Sequence, residues 1–132
     1  MSKLMQEIEQ CLVREETDPQ GGLSAQFLFP KTFSGFQGHF PGNPVLPGVC
    51  LLQAALVMAK AWAHDPVVLK SIASAKWFAP VGPDCTLLFT GRIEASGQDE
   101  ATLKARIACQ NAKVAELTLK VVCPKVEKGA AP

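Results

Sequence analysis

Charged residues are scarce in this sequence. Only 19% of the 132 residues are charged, and 13 basic side chains nearly balance 12 acidic ones, for a formal net charge of +1. The chain therefore lacks the excess positive charge that is typical of proteins that bind nucleic acid or anionic membranes. Because 48% of the residues are hydrophobic, the chain can form a packed core. So much apolar and so little charged surface is typical of a domain that buries part of itself in an oligomer.

The cysteines lack the spacing of a zinc site or a disulfide scaffold. Their number is odd, and none forms a CxxC pair or lies at a ligand's spacing from a histidine. They are Cys11, Cys50, Cys85, Cys109 and Cys123. The pattern predicts reduced, mostly buried thiols in a cytoplasmic protein and no zinc site.

The sequence also lacks a segment typical of secretion or membrane insertion. Residues 1–10 are polar and include two glutamates, unlike a signal peptide. The longest apolar run, 49–63, has 15 residues and contains Gln53 and Lys60, whereas a bilayer span needs about 20 apolar residues. We therefore expect a cytoplasmic protein in which this run is a buried core helix.

One domain is expected over residues 1–132, with its core at about 20–123 and a frayed tail at 124–132. Residues 1–26 predict a short lead-in and a first strand, with a turn at 21–22. Residues 27–48 contain four prolines, four glycines and five phenylalanines, which excludes a regular helix and favours an ordered, packed loop. The run at 49–63 is apolar on nearly every face and predicts a helix that ends near His64.

Beyond Val67 the hydrophobic residues alternate with polar ones. The alternation predicts strands near 86–94, 103–109 and 115–123, with turns at 96–99 and 110–111. A sheet wrapped around the apolar helix would bury both, so the sequence predicts an α+β fold. In it a curved antiparallel β-sheet surrounds one long central helix. Because that sheet covers only part of the helix, a partner subunit would complete the burial.

His39 is the candidate catalytic base. It lies in the sequence GHFPG just before the predicted helix, where glycine and proline fix the backbone and allow a ligand to approach closely. A hydrogen-bonded core histidine would fit the same composition. His64, at the predicted helix end, has nothing reactive nearby and is expected at the surface.

The start of the predicted helix supplies a possible partner for such a base. Unpaired amides near Gly48 and Val49 could donate to a carbonyl oxygen that becomes negative in a transition state. A base and such donors together suit proton abstraction beside a thioester carbonyl. Gln53, the only polar side chain in the first two turns, is either an amide satisfied within the core or a group pointing into the same pocket.

Two blocks of sequence resemble a known family. GHFPGNPVLPGVCLLQAA, at 38–55, closely resembles the signature of bacterial 3-hydroxyacyl-[acyl carrier protein] dehydratases of the hotdog fold. AKWFAPVGPDCTL, at 75–87, is similar to a strand and turn of that family, and the likeness extends over roughly 20–122. It implies a hotdog fold and a dimer with joined sheets, either alone or as a trimer of dimers. It also implies an acyl carrier protein as partner and no metal or redox cofactor.

The resemblance implies roles for individual residues. His39 would remove the α-proton of a 3-hydroxyacyl thioester, and Gln53, 14 positions later, would handle the hydroxyl that leaves as water. The amide of Gly48, with that of Val49 beside it, would bind the thioester carbonyl. Each site would lie at the dimer interface, with the histidine from one copy and residue 53 from the other. Three apolar residues would lie near the entrance of an acyl tunnel: Phe36, Phe40 and Leu46.

Position 53 departs from the family, which has Glu or Asp there. An amide cannot act as a proton donor at neutral pH, and losing a general acid typically costs ~10²–10⁴-fold in rate.

The resemblance predicts a dehydratase of fatty-acid or related acyl-chain biosynthesis that forms a 2-enoyl thioester. Its substrate would be carried on the phosphopantetheine of a carrier protein or coenzyme A. Two alternatives remain open: a weakly active or non-catalytic subunit of a heterodimer whose partner supplies a carboxylate, and a hotdog thioesterase.

Overall fold

The computed structural model describes residues 3–37, 42 and 44–123. His39 and Phe40 lie outside the described residues, as does the predicted frayed tail at 124–132. The elements in chain order are α1 (Lys3–Gln10), β1 (Leu12–Thr17), β2 (Gly22–Leu28), a 3-10 turn (Ser34–Phe36), α2 (Gly48–Ala63), β3 (Val68–Trp77), β4 (Thr86–Gly97), β5 (Glu100–Cys109) and β6 (Ala112–Val122).

The six strands form one antiparallel sheet in the order β1-β2-β4-β5-β6-β3. The predicted alternation is confirmed: on β5, Leu103 and Ile107 are buried while Lys104 is exposed. The predicted turns are confirmed as well. Asp99 and Asn111 adopt left-handed backbone conformations, with φ of 57° and 69°, at the two points where the chain reverses.

Helix α2 begins one residue before the predicted start and ends at the predicted residue, Ala63. Eleven of its sixteen residues are buried, and they share one hydrophobic core with the inward-facing side chains of the sheet. The helix ends because His64 takes a left-handed conformation, φ 58°, while its N–H donates to the Lys60 carbonyl at 2.8 Å. His64 is exposed, as expected. The α+β arrangement of an antiparallel sheet around one long helix is thus confirmed.

The first 26 residues hold more structure than predicted, because α1 and β1 precede the expected strand, β2. Strand β1 is exposed along almost its whole length, so its sequence shows no alternation of hydrophobic and polar residues that would predict a strand. The Asp18 carboxylate fixes the turn that follows, accepting hydrogen bonds from the amides of Gln20 and Gly22 at 2.8 and 3.0 Å. These bonds hold the pKa of the Asp18 carboxyl below its usual range.

The prediction of free thiols is wrong for one pair of cysteines. Cys85 and Cys109 form a disulfide, whereas Cys11, Cys50 and Cys123 are buried and free. The pair is 24 residues apart and is brought together by the β4–β5 register, in which Cys109 lies opposite the second residue of β4. Sequence spacing does not reveal a pairing that depends on strand register.

Burial, with a smaller contribution from nearby Glu7, raises the pKa of the Cys11 thiol to about 11.

Reducing the Cys85–Cys109 disulfide is expected to lower the melting temperature. Opening the bond releases a closed loop in the unfolded chain, which is worth about 3 kcal/mol, or roughly 10 °C for a domain of this size. Thermal unfolding followed with and without reductant measures the shift. The matched control is the double variant C85S/C109S, which should melt like the reduced protein and ignore the reductant. If reductant lowers the melting temperature of the double variant as well, the effect comes from other thiols.

Within the described residues, no helix has the length and apolar character needed to cross a bilayer.

Candidate functional site

The start of α2 leaves backbone donors unpaired. A hydrogen bond from the Leu46 amide to the Val81 carbonyl, 2.8 Å, positions the chain just before the helix. Pro47 is the N-cap residue, in an extended conformation, and no side chain caps the helix. The amides of Gly48 and Val49 meet no acceptor among the described residues, and the first turn carries no acidic side chain. The described residues therefore leave two N–H groups at the positive end of the helix dipole for another acceptor, such as a ligand oxygen.

A cavity of about 490 Å³ opens beside this helix start. Its lining is mostly apolar and consists of Leu46, Gly48, Leu51, Trp77, Phe78, Ala79, Pro80 and Val81. Two aromatic side chains on its wall, Trp77 and Phe78, are 52% and 48% exposed. The indole packs closely on Gly48, because a Cβ added there would lie only 2.9 Å from the Trp77 Cη2 atom. Glycine thus lets an aromatic wall approach the start of α2 directly.

Gln53 carries a buried oxygen with no partner. It lies four residues beyond Val49 on the same face of α2. Its side chain is half-buried, and its Oε1 atom is fully buried and accepts no hydrogen bond from any described residue. An unpaired buried acceptor costs about 1–3 kcal/mol. This geometry argues against an amide satisfied by the described core, and it favours a donor from elsewhere: the undescribed loop, a substrate or a second copy of the chain.

The other predicted site residues separate into three groups. Leu46 and Gly48 meet at the cavity, whereas Val49, which is 53% exposed, is not among the residues that line it. Phe36 is instead buried in the core, where its ring stands edge-on to that of Phe33 with 6.1 Å between the ring centroids. His39 and Phe40 remain predictions, because the structure does not describe them.

The sequence analysis did not predict that Trp77 and Phe78 form a wall of the cavity, although two successive large aromatic residues are a signal of exposure. Neighbouring residues on a strand point to opposite faces, so two large aromatics in succession cannot both be buried by a sheet with one buried face. Lys113 adds a charge at this wall, with its Nζ atom 5.6 Å from the centroid of the Phe78 ring. No group of three or more metal-binding side chains occurs in the described ranges.

Comparison with known proteins identifies the family. Residues 14–118, most of the chain, match the family described as ApeI dehydratase. The chain belongs to the ApeI-like dehydratase family. The 3-hydroxyacyl-[acyl-carrier-protein] dehydratase FabZ of the Drosophila simulans Wolbachia, strain wRi, is 34% identical over 116 residues, which cover 81% of this chain and 80% of that protein. FabZ of Thermus thermophilus is 33% identical over 95 residues, which cover 66% and 67%.

Solved structures show the fold of this ApeI-like protein independently. The dehydratase heterocomplex ApeI:P of Xenorhabdus doucetiae matches with a TM-score of 0.73 at 23% identity, covering 84% of this chain and 96% of that one. A hypothetical thioesterase with coenzyme A from Streptococcus pneumoniae matches with a TM-score of 0.66 at 12% identity, covering 91% and 93%. At such identities the likeness carries the fold alone, and that fold is the hotdog fold that the resemblance predicted.

Proposed function

We propose that this ApeI-like protein interconverts a 3-hydroxyacyl thioester and its 2-enoyl thioester in acyl-chain biosynthesis. The observation that carries the proposal is the start of α2, where the amides of Gly48 and Val49 meet no acceptor among the described residues and Gly48 lines an apolar cavity. The names of the FabZ relatives support a substrate held by an acyl carrier protein. A thioester on coenzyme A presents the same pantetheine arm, so both carriers fit the proposed chemistry.

In the proposed reaction His39 removes the α-proton while the Gly48 amide stabilises the negative charge that develops on the thioester oxygen. The C3–O bond then breaks, a double bond forms between C2 and C3, and the hydroxyl leaves with one proton as water. These steps use only proton transfer and hydrogen bonds, so the chemistry requires no redox group.

Gln53 sets the expected rate. Its amide can donate a hydrogen bond to the departing hydroxyl, but it cannot supply the proton. The proton must therefore return from His39 or come from a bound water. We expect the reaction to be slow compared with that of relatives that carry a carboxylate at this position, by about the ~10²–10⁴-fold that a general acid contributes.

We also propose that a second copy pairs along β3, which is an outer strand of the sheet. Ile72 and Trp77 lie opposite the buried residues Leu119 and Ala115, and yet both are half-exposed. The inner face of the sheet is therefore left partly uncovered along this edge. The other edge, β1, carries the charged run 14–16, which discourages strand pairing. The contrast supports joined sheets through β3 and not through β1.

A heterodimer is the second candidate assembly, because one structural relative is a dehydratase heterocomplex. In this arrangement another hotdog subunit would supply a carboxylate opposite His39, and this chain would bind the thioester. A cytoplasmic location fits either assembly and stays a prediction.

Hydration of a 2-butenoyl thioester by the purified chain tests the proposed function. Loss of the enoyl absorbance, followed alone and with a carboxylate-bearing hotdog protein of the same organism, separates the assemblies. Slow turnover by the chain alone is the expected result, and turnover only in the mixture would favour the heterodimer. No turnover in either sample would contradict the proposed reaction.

A further inference from the structure

The loop at 78–85, here called the wall segment, forms one side of the cavity. It joins β3 to β4. Its first four residues line the cavity: Phe78, Ala79, Pro80 and Val81. The Val81 carbonyl accepts a hydrogen bond from the amide of Leu46, two residues before α2 begins. A displacement of the wall segment would therefore change both the shape of the cavity and the position of the helix start.

The β5–β6 hairpin holds the wall segment at both ends. At its start, the Phe78 amide donates to the Val114 carbonyl at 2.8 Å, and the Lys113 Nζ atom lies over the Phe78 ring. At its end, Cys85 is bonded through the disulfide to Cys109, the last residue of β5. The disulfide is thus a covalent attachment of the cavity wall to this hairpin.

Without the disulfide, the end of the wall segment is held more weakly. The Asp84 amide donates to the Phe29 carbonyl at 2.9 Å. Gly82 is exposed, and a Cβ added there would meet only the Pro44 carbonyl oxygen, at 3.9 Å. Opening the disulfide leaves the hydrogen bond at Asp84 but removes the covalent attachment next to it. We therefore expect the wall segment to open more often when Cys85 is reduced.

The paired cysteines are accessible to a small thiol, whereas the free cysteines are not. Cys85 and Cys109 are half-buried, but Cys11, Cys50 and Cys123 are only 8%, 1% and 0% exposed. Burial also raises the pKa of the Cys11 and Cys50 thiols, which disfavours the thiolate that exchange requires. In the cytoplasm, which the sequence predicts for this chain, thiols are kept reduced and an accessible disulfide is typically transient.

We propose that Cys85 and Cys109 form a thiol–disulfide exchange site whose redox state sets how tightly the cavity holds its thioester. A thiolate of the reductant attacks one sulfur of the pair, and a second reductant thiol attacks the mixed disulfide that results. The bond between Cys85 and Cys109 breaks, a disulfide forms in the reductant, and each cysteine gains an electron and a proton. A disulfide oxidant of the same class reverses the step. The effect on thioester binding rests on the proposed function, whereas the exchange does not.

Equilibration with mixtures of reduced and oxidised glutathione tests the exchange. Each sample is quenched with acid, denatured and labelled with a maleimide, and its mass gives the number of thiols. The expected result is a reversible change from three thiols per chain in oxidising mixtures to all five cysteines in reducing ones. The control variant C85S/C109S should show three thiols throughout. A constant number in the wild type would overturn the exchange site, whether the pair stays bonded or stays reduced.

Hydrogen exchange tests the coupling to the cavity without an activity assay. The informative amides are those of Leu46 and Asp84, whose hydrogen bonds position the wall segment. Both should exchange faster by about threefold or more in the reduced wild type, because reduction favours local opening. The Ile93 amide, which donates to Gly21 at the other end of β4, is the control and should not change. Equal exchange at Leu46 and Asp84 in both redox states would overturn the coupling.

Steady-state hydration of a 2-butenoyl thioester then measures the effect on binding. Oxidised and reduced wild type are compared after the reductant is removed and well below the melting temperature of either form. Reduction should raise KM by about threefold or more, because a loosened wall must be ordered again when ligand binds. The variant C85S/C109S should match the reduced protein. An unchanged KM, with reduction verified by mass, would overturn the inference and leave the proposed function standing.

A wild type that turns over no thioester would contradict the proposed function, and the inference would then be decided by binding. Butyryl-pantetheine is titrated against the oxidised and the reduced protein. Weaker binding to the reduced form supports the control of the cavity by the Cys85–Cys109 pair. Equal affinity for both forms, or no binding to either, overturns it.

Discussion

Replacing His39 with alanine is expected to abolish enoyl-thioester hydration while leaving the fold stable. The reaction requires removal of the α-proton, and His39 is the base that the proposed site offers beside the thioester carbonyl. Loss of a general base typically removes ~10²–10⁴-fold in rate. We expect the melting temperature to stay close to that of the wild type, because the described residues form an extensive apolar core. Steady-state hydration and thermal unfolding of the same preparation measure both quantities.

The matched control for His39 is the other histidine of the chain, His64. It caps the end of α2 with φ 58°, a conformation that asparagine also tolerates, so His64→Asn keeps the cap. This variant should retain wild-type activity. Full activity in His39→Ala would remove His39 from the mechanism, and equal losses in both variants would point to a general effect on the fold.

Replacing Gln53 with glutamate is expected to accelerate hydration and dehydration by about a hundredfold or more. The substitution supplies the proton donor that the amide cannot provide, at a position where the buried Oε1 atom already lacks a partner among the described residues. Initial rates of the variant and the wild type, measured in both directions of the reaction, test the prediction. Gln26→Glu, which introduces the same charge on the half-buried β2, is the control and should leave the rate unchanged.

The pH profile of Gln53→Glu gives a second readout. Burial disfavours the ionised carboxylate and raises the pKa of a glutamic acid. The protonated form, which acts as the acid in dehydration, is lost as the pH rises through that raised pKa. The gain in dehydration rate over the wild type should therefore be greatest at low pH and shrink as the pH rises. A fast wild type that is slowed by the substitution would show that this account of position 53 is wrong.

Much of the fold could be predicted from periodicity. The all-apolar run of α2 and the alternation on β5 and β6 each have one dominant burial pattern, which fixes the type of element. Strand β1 could not be read, because an exposed edge strand has no buried face. The Cys85–Cys109 disulfide could not be predicted either, because it depends on the register of a hairpin and not on spacing along the chain.

The candidate site could be predicted only where its residues lie close together in sequence. Gly48, Val49 and Gln53 share one helix, so their relation follows from helical geometry. Trp77 and Phe78 reach the helix start only through the packing of β3 beside it, which sequence spacing does not encode.

The central claim is a thioester site that is shared between two copies and limited in rate by residue 53. Mixing wild type with the inactive double variant H39A/Q53E tests it most directly. Each hybrid dimer would hold one site that combines His39 of the wild type with the glutamate of its partner. The account predicts that the mixture hydrates an enoyl thioester faster than the same amount of wild type alone. A rate equal to that of the wild type alone would contradict a shared site.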